Sequence, residues 1–232
     1  MAKRKLQRFA ENTTFLHFFQ PDWAELQSGF ALRGHWCDDF FKNANPVIIE
    51  LGCGKGEYTV DLSQRYPDKN FIGIDKKGAR MWRGAKTSNE INQHNAAFIR
   101  IRAENLAFVF GQNEVDEIWI TFPEPQPNSP RMSKRFTSPQ FIKRFRQILK
   151  PGGIIHLKTD NDMFYQYTLD TIREGGHELL FNTSDLYHFP ETEEVADVIA
   201  VRTHYEKMWL EQGLTIKYLR FRLKADDMGV SE

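Results

Sequence analysis

No apolar run in this 232-residue chain approaches the roughly twenty residues needed to cross a bilayer, so a helical membrane protein is excluded. There are only two cysteines, Cys37 and Cys53, in unrelated contexts and without metal-ligand spacing. Their scarcity argues against a disulfide framework or a zinc site and fits a reducing compartment. The opening residues MAKRKLQRF are basic, but no apolar stretch or small-residue cleavage site follows. They do not read as a secretory signal, and a cytoplasmic protein is expected. Internal repeats and low-complexity tracts are absent. Net charge is absent as well: 31 Lys and Arg balance 31 Asp and Glu, which is not the global signature of a nucleic-acid binder.

What the chain does have is 41% hydrophobic residues, enough for one large domain, and a segregated charge. Arg131, Lys134, Arg135, Lys143, Arg144, Arg146 and Lys150 form an acid-free basic stretch, whereas Asp185 to Asp197 holds five acids and no Lys or Arg. Lys3, Arg4, Lys5 and Arg8 make a second basic cluster at the terminus. Either cluster could be a solvated face or a nucleic-acid contact.

From Pro46 onward, apolar segments alternate with amphipathic ones in the rhythm of a parallel α/β sheet. Residues 47–51, 70–74, 97–101, 117–122, 154–158, 178–182 and 216–223 are expected to be strands. Helices are expected over 57–65, 139–149 and 163–173, the second stopped by Pro151-Gly152-Gly153. The pattern predicts a seven-stranded, mostly parallel sheet with helices on both faces, spanning residues 46–224. Residues 1–45 resist the pattern and are expected to form an extension or cap, and 225–232 a tail.

Glu50-Leu51-Gly52-Cys53-Gly54-Lys55-Gly56 sets three glycines after the first of these strands and before a helix, where a backbone without Cβ atoms lets a ligand approach. The G-x-G-x-G spacing differs from the dinucleotide fingerprint. It resembles the first motif of class I methyltransferases, a Rossmann-like fold whose glycines flank the methionine part of S-adenosylmethionine. Asp75, at the end of the next strand, is placed to accept hydrogen bonds from ribose hydroxyls; its other reading is a cap for the helix starting near Gly78. Arg102, Ala103 and Glu104 follow the third strand, where such enzymes contact adenine.

Thr121-Phe122-Pro123-Glu124-Pro125-Gln126-Pro127 stiffens a loop at the carboxyl end of the sheet. With the glycine motif, Thr159-Asp160 and Thr203-His204-Tyr205-Glu206, this loop makes the sequence similar to the tRNA (guanine-N(7)-)-methyltransferases, in order from about Pro46 to Arg222. That family reads Phe-Pro-Asp-Pro-Trp-Pro followed by a basic run. Here Glu124 replaces the Asp, Gln126 the Trp, and Asn128-Ser129-Pro130-Arg131-Met132 the basic run, with Asn128 at the place of a substrate-contacting Lys. The resemblance implies S-adenosylmethionine as cofactor, held by Glu50, Gly52, Gly54, Asp75, Arg102, Ala103, Glu104 and Glu124. It implies tRNA as partner, met by Asn128, Lys134, Arg135, Asp160, Thr203, Tyr205 and Glu206. It implies Glu124 as the catalytic carboxylate, and no metal.

The seven-position nitrogen of guanine carries an exposed lone pair and needs no deprotonation, so positioning is expected to dominate the chemistry. Two other readings stay open: a methyltransferase for an exocyclic base amine, and a tRNA-binding scaffold weakened by the altered 126–132 stretch. The sequence fixes no oligomeric state.

Overall fold

A computed structural model describes residues 2–190 and 192–225. The tail expected over 225–232 lies outside the described residues from 226 on, as do the side chains of Lys3 and Arg4. In chain order the elements are α1 (Ala2–Asn12), β1 (Phe18–Phe19), α2 (Trp23–Ser28), a π-helical turn (Trp36–Phe41), β2 (Val47–Leu51), α3 (Glu57–Arg65), β3 (Asn70–Ile74), α4 (Gly78–Glu90) and β4 (Ala96–Ile99). They continue as α5 (Leu106–Val109), β5 (Val115–Thr121), α6 (Pro139–Phe145), β6 (Leu149–Thr159), α7 (Asp162–Glu174), β7 (Glu178–Thr183), α8 (Glu193–Ala200), α9 (His204–Glu211) and β8 (Lys217–Arg222).

One sheet runs β1-β4-β3-β2-β5-β6-β8-β7. Pairings are parallel from β1 to β6, and β8 is antiparallel to both β6 and β7. The sheet therefore has eight strands, not seven. The extra one is β1, whose two residues pair Phe18 with Phe98 and Phe19 with Ile99. A two-residue strand is too short to show any alternation, so periodicity could not have found it. Boundaries also differ: α6 stops at Phe145, β6 begins at Leu149 and runs extended through Pro151-Gly152-Gly153, β4 ends at Ile99 and β5 begins at Val115.

The chain moves outward from β2 to β3 and β4, then returns to β2's other side as β5, so the direction of winding reverses between β2 and β5. Open α/β sheets bind ligands at the carboxyl ends of the strands beside such a reversal. Strand alternation sorts the two faces. Ile49, Ile72, Ile118, Ile155 and Leu219 pack with α5, α6, α7 and the aromatic residues Phe30, Trp36 and Phe41 of the N-terminal segment. Ile48, Phe71, Trp119 and Tyr218 pack on the other face with α3 and α8. The fully buried Trp36 donates its indole N–H to the Val109 carbonyl at 2.9 Å, so the first 45 residues share the main core.

Candidate active site

A cleft of about 250 Å³ opens at the carboxyl ends of β2, β3 and β5, on both sides of the reversal. Its glycine wall is built by backbone. Gly52, Gly54 and Gly56 all have positive φ, at 73°, 56° and 73°, and Gly56 also has no room for a side chain. A Cβ there would lie 2.6 Å from the Phe98 ring and 3.2 Å from Gly84 Cα on α4. Asp75 ties this wall together by accepting from Gly54 N at 3.1 Å and Lys77 N at 2.8 Å. It thus stands in the cleft and braces the start of α4 at once.

Glu50 lines the cleft while being almost fully buried. One carboxylate oxygen accepts from Thr59 N at 3.0 Å and Thr59 Oγ1 at 2.6 Å; the other accepts from Thr121 Oγ1 at 2.7 Å. Burial pushes its pKa up to about 7, against the pull of these donors. A cationic ligand beside it would favour the ionised form. Arg102, Ala103 and Glu104, in and before a 3₁₀ turn, form the next part of the wall.

The proline loop forms the far wall. Phe122 and Gln126 both have φ of 47°, a left-handed conformation that costs a non-glycine residue energy and tends to mark a constrained site. Between them Glu124 is exposed, with Gln126 Nε2 donating to it at 3.2 Å and Lys77 Nζ 3.8 Å away. Gln126, which sequence reasoning treated only as a departure, therefore orients the carboxylate.

Lys134, Thr203 and Tyr205 also line the cleft, so the structure gathers Glu50, Gly52, Gly54, Asp75, residues 102–104, Glu124, Lys134, Thr203 and Tyr205 in one place. Four residues expected at the substrate fall elsewhere. Asn128 is exposed, heads the 3₁₀ turn over 129–134 and is not part of the cleft wall. Asp160 lies just past β6, outside the wall, with its carbonyl accepting from Lys217 Nζ at 3.0 Å. Arg135 is 5% exposed and is no free phosphate ligand. Its guanidinium donates to the carbonyls of Pro125 and Gln126 at 3.2 and 3.1 Å and lies over the Tyr167 ring, anchoring the proline loop. Glu206 is fully buried and paired with Lys158, so no base can reach it in this conformation.

Residues missed by the sequence reading include Thr121, Phe136 and the rim cations Lys55, Lys76, Lys77 and Arg80, which line the cleft, and Thr59, which acts behind it by holding Glu50. Thr59 and Thr121 carried one signal: Glu50 is a carboxylate inside an apolar strand, and such a group requires partners. Among the described residues there is no group of three or more His, Cys, Asp or Glu that could hold a metal ion, and no helix is long and apolar enough to cross a membrane.

Comparison with known proteins agrees with this geometry. A family model described as a putative methyltransferase matches residues 44–219. The tRNA (guanine-N(7)-)-methyltransferase of Christiangramia forsetii is 48% identical over 224 residues, covering 96% of this chain and 99% of the relative. The Bacteroides fragilis protein of the same name is 45% identical, covering 97% and 88%. In fold the chain resembles the solved 16S rRNA methyltransferase KamB, with a TM-score of 0.60 at 16% identity, covering 81% and 92% of the two chains. With near-half identity along almost its whole length, the chain belongs to the tRNA (guanine-N(7)-)-methyltransferase family.

Proposed function

We propose that this protein transfers a methyl group from S-adenosylmethionine to the seven-position nitrogen of a guanine in tRNA. The observation that carries the reading is the convergence of the buried Glu50, the glycine turn, Asp75 and Glu124 in one cleft of a chain whose full-length relatives bear that name. The donor set suits this cofactor. Glu50 offers a buried anion, Asp75 a carboxylate at a strand end, and the glycine turn a backbone open to close approach. When bound, S-adenosylmethionine supplies an electrophilic methyl group on a sulfonium.

The residues of this chain have no proton to remove. Their task is to hold the guanine edge in line with the methyl group and to exclude water, and such positioning can supply roughly 7 to 11 kcal/mol of the barrier. Glu124 accepts hydrogen bonds from the guanine edge, and Tyr205 offers an aromatic face at the same mouth.

Unpaired cations on the rim support an RNA substrate. In the acid-free stretch, Arg135, Arg144, Arg146 and Lys150 have partners inside the protein, leaving Arg131, Lys134 and Lys143 without an ion pair among the described residues. On the side of β3, β4 and α4, Lys76, Arg80, Arg100 and Arg102 are exposed and likewise without an ion pair among the described residues. The RNA backbone then meets both rims and not one basic helix. Incubation with labelled S-adenosylmethionine and bulk unmodified tRNA, followed by nucleoside mass spectrometry, tests the reading. It expects 7-methylguanosine; a methylated exocyclic amine, or no product, overturns it.

A further inference from the structure

Phe136 lines the cleft, and the chain grips it on both sides. Arg135 before it donates to the Pro125 and Gln126 carbonyls at 3.2 and 3.1 Å. Thr137 after it is fully buried and hydrogen-bonded to Thr168 of α7 at 2.8 Å. Ser138 caps α6 and donates to the Ser133 carbonyl at 3.0 Å. The ring itself is partly buried, packs edge-on against Phe141 with centroids 5.1 Å apart, and adjoins the main core. It also reaches the glycine wall: a Cβ on Gly52 would lie 3.6 Å from Phe136 Cε2. The two walls of the cleft therefore meet where this ring approaches Gly52, two residues along the chain from the buried carboxylate of Glu50.

Among the described residues, three aromatic rings line the cleft: Phe122, Phe136 and Tyr205. Two of them already have a cation of the protein nearby. The Lys158 ammonium lies 6.0 Å from the Phe122 centroid and the Lys55 ammonium 5.7 Å from that of Tyr205. Rings around Phe136 are used in the same way, Tyr167 by Arg135 at 4.3 Å and Phe141 by Arg144 at 5.0 Å. Phe136 alone of the three has no Lys or Arg at such a distance among the described residues. An aromatic face carries negative charge density and attracts a cation, the more strongly the less water surrounds it. Ring and buried carboxylate thus frame one corner of the cleft suited to a positive charge.

We propose that Phe136 takes the sulfonium of S-adenosylmethionine against its aromatic face and so distinguishes the charged cofactor from its neutral product. The inference rests on the methyl-transfer reading above. Methyl transfer breaks the bond between carbon and sulfur, leaves its electron pair on sulfur and forms the bond to the guanine nitrogen, carrying the positive charge to the base. The sulfur of S-adenosylhomocysteine is then a thioether that differs from the cofactor by one methyl group and one charge. Packing alone treats the two ligands nearly alike. An attraction for charge does not, and it ends with the transfer, so the ring holds cofactor and lets product go. Glu50 also favours a cation, but its contribution follows its own titration, whereas that of a ring is independent of pH.

The test is calorimetric affinity for S-adenosylmethionine and for S-adenosylhomocysteine in the parent and in Phe136→Leu, at pH 8, above the range in which Glu50 titrates. The deciding quantity is the ratio of product to cofactor dissociation constants, from which any loosening of the cleft common to both ligands cancels. Phe136→Leu should lower that ratio roughly threefold to thirtyfold, the range for a ring facing a partly or fully desolvated cation. Phe136→Tyr should keep the parental ratio. Pentafluorophenylalanine at position 136 preserves the ring's shape and reverses its charge distribution, so it should lower the ratio at least as far, and it serves if leucine disturbs the contact with Phe141. An unchanged ratio in the leucine and fluorinated proteins, whether both affinities fall together or neither moves, makes Phe136 a packing residue and overturns the proposal. A parent that binds both ligands yet forms no 7-methylguanosine defeats the reading of the substrate, while the ratio still decides the role of Phe136. A parent that binds neither ligand overturns both.

Discussion

The two walls of the cleft are built by different means. The glycine wall is mostly backbone: three residues at positive φ, a carboxylate tied to main-chain amides, and Glu50 fixed by threonines from α3 and β5. The proline wall is mostly side chain: Arg135 reaching back to Pro125 and Gln126, Gln126 steering Glu124, and Lys158 pinning the segment that carries Tyr205. A backbone wall tolerates little change in residue type but depends on few distant partners. A side-chain wall can exchange Asp for Glu or Trp for Gln, as this chain does relative to the family pattern, provided the supporting contacts move with it.

The sharpest way to break this comparison is Glu124→Gln, which keeps shape but replaces an acceptor with an amide that must present donors on one side. Turnover should fall roughly tenfold to a thousandfold, the range for one misplaced electrostatic contact. Cofactor affinity and melting temperature should change far less, because Glu124 is exposed and carries no buried structure. Near-parental turnover would make it a loop residue only.

On the glycine wall the corresponding lever is pH. Because the Glu50 carboxyl titrates near about 7 in the free protein, it is protonated below that value, and a cationic ligand must displace the proton. Affinity for S-adenosylmethionine should therefore be full above pH 7 and weaken as pH falls, approaching tenfold per unit. The sign for folding is opposite. A raised carboxyl pKa favours the free folded state most below the unfolded value of about 4.3, and that contribution is lost as pH rises through about 7. Calorimetric titration between pH 5.5 and 8 checks the first effect; a pH-independent affinity would remove Glu50 from the cofactor site.

A smaller effect separates the free cations from the engaged ones. Replacing Arg80 and Lys134 together by Ala should reduce the salt dependence of tRNA binding by up to about two phosphate contacts. Arg135→Ala should leave that slope unchanged while lowering the melting temperature, since its guanidinium holds protein carbonyls. Filter binding across a salt series distinguishes them, and a flattened slope in Arg135→Ala would contradict its structural assignment. The smallest change is expected from Gln126→Ala, which frees Glu124 without removing it. A loss of a few-fold in turnover, reflecting one hydrogen bond of about 1 kcal/mol, is the expected result in steady-state kinetics; no loss would show that Glu124 needs no steering.

Most of the sheet was legible because its strands are apolar runs bounded by turn residues, and the glycine wall was legible because its chemistry is local in sequence. The proline wall was only half legible. Glu124 could be placed from its flanking prolines and Tyr205 from its motif, but the burial of Arg135 and Glu206 depends on partners far along the chain. One signal was available. Glu50, Thr121, His156 and Lys158 are buried polar positions in the apolar parts of three adjacent strands, and alternation puts all four on the same face of the sheet. Four polar groups sharing a buried face require one another or nearby helices as partners. That argument points to a polar seam under α3, α8 and α9, but not to the identity of each contact.

The two-residue strand β1 carries a consequence for solution behaviour. By pairing with β4 it covers the one flank of the sheet made of parallel, strongly apolar strands, where the amides of Phe98 and Arg100, which donate to the His17 and Phe19 carbonyls at 2.8 Å, would otherwise be open to another molecule. Its residues are made before any other strand, yet their partner lies about eighty positions later, so the edge stays open until β4 exists. The N-terminal segment thus acts as a guard against sticking between copies. A chain shortened to begin after Phe19 should keep its cleft and self-associate, visible as early elution and light scattering rather than as a changed spectrum.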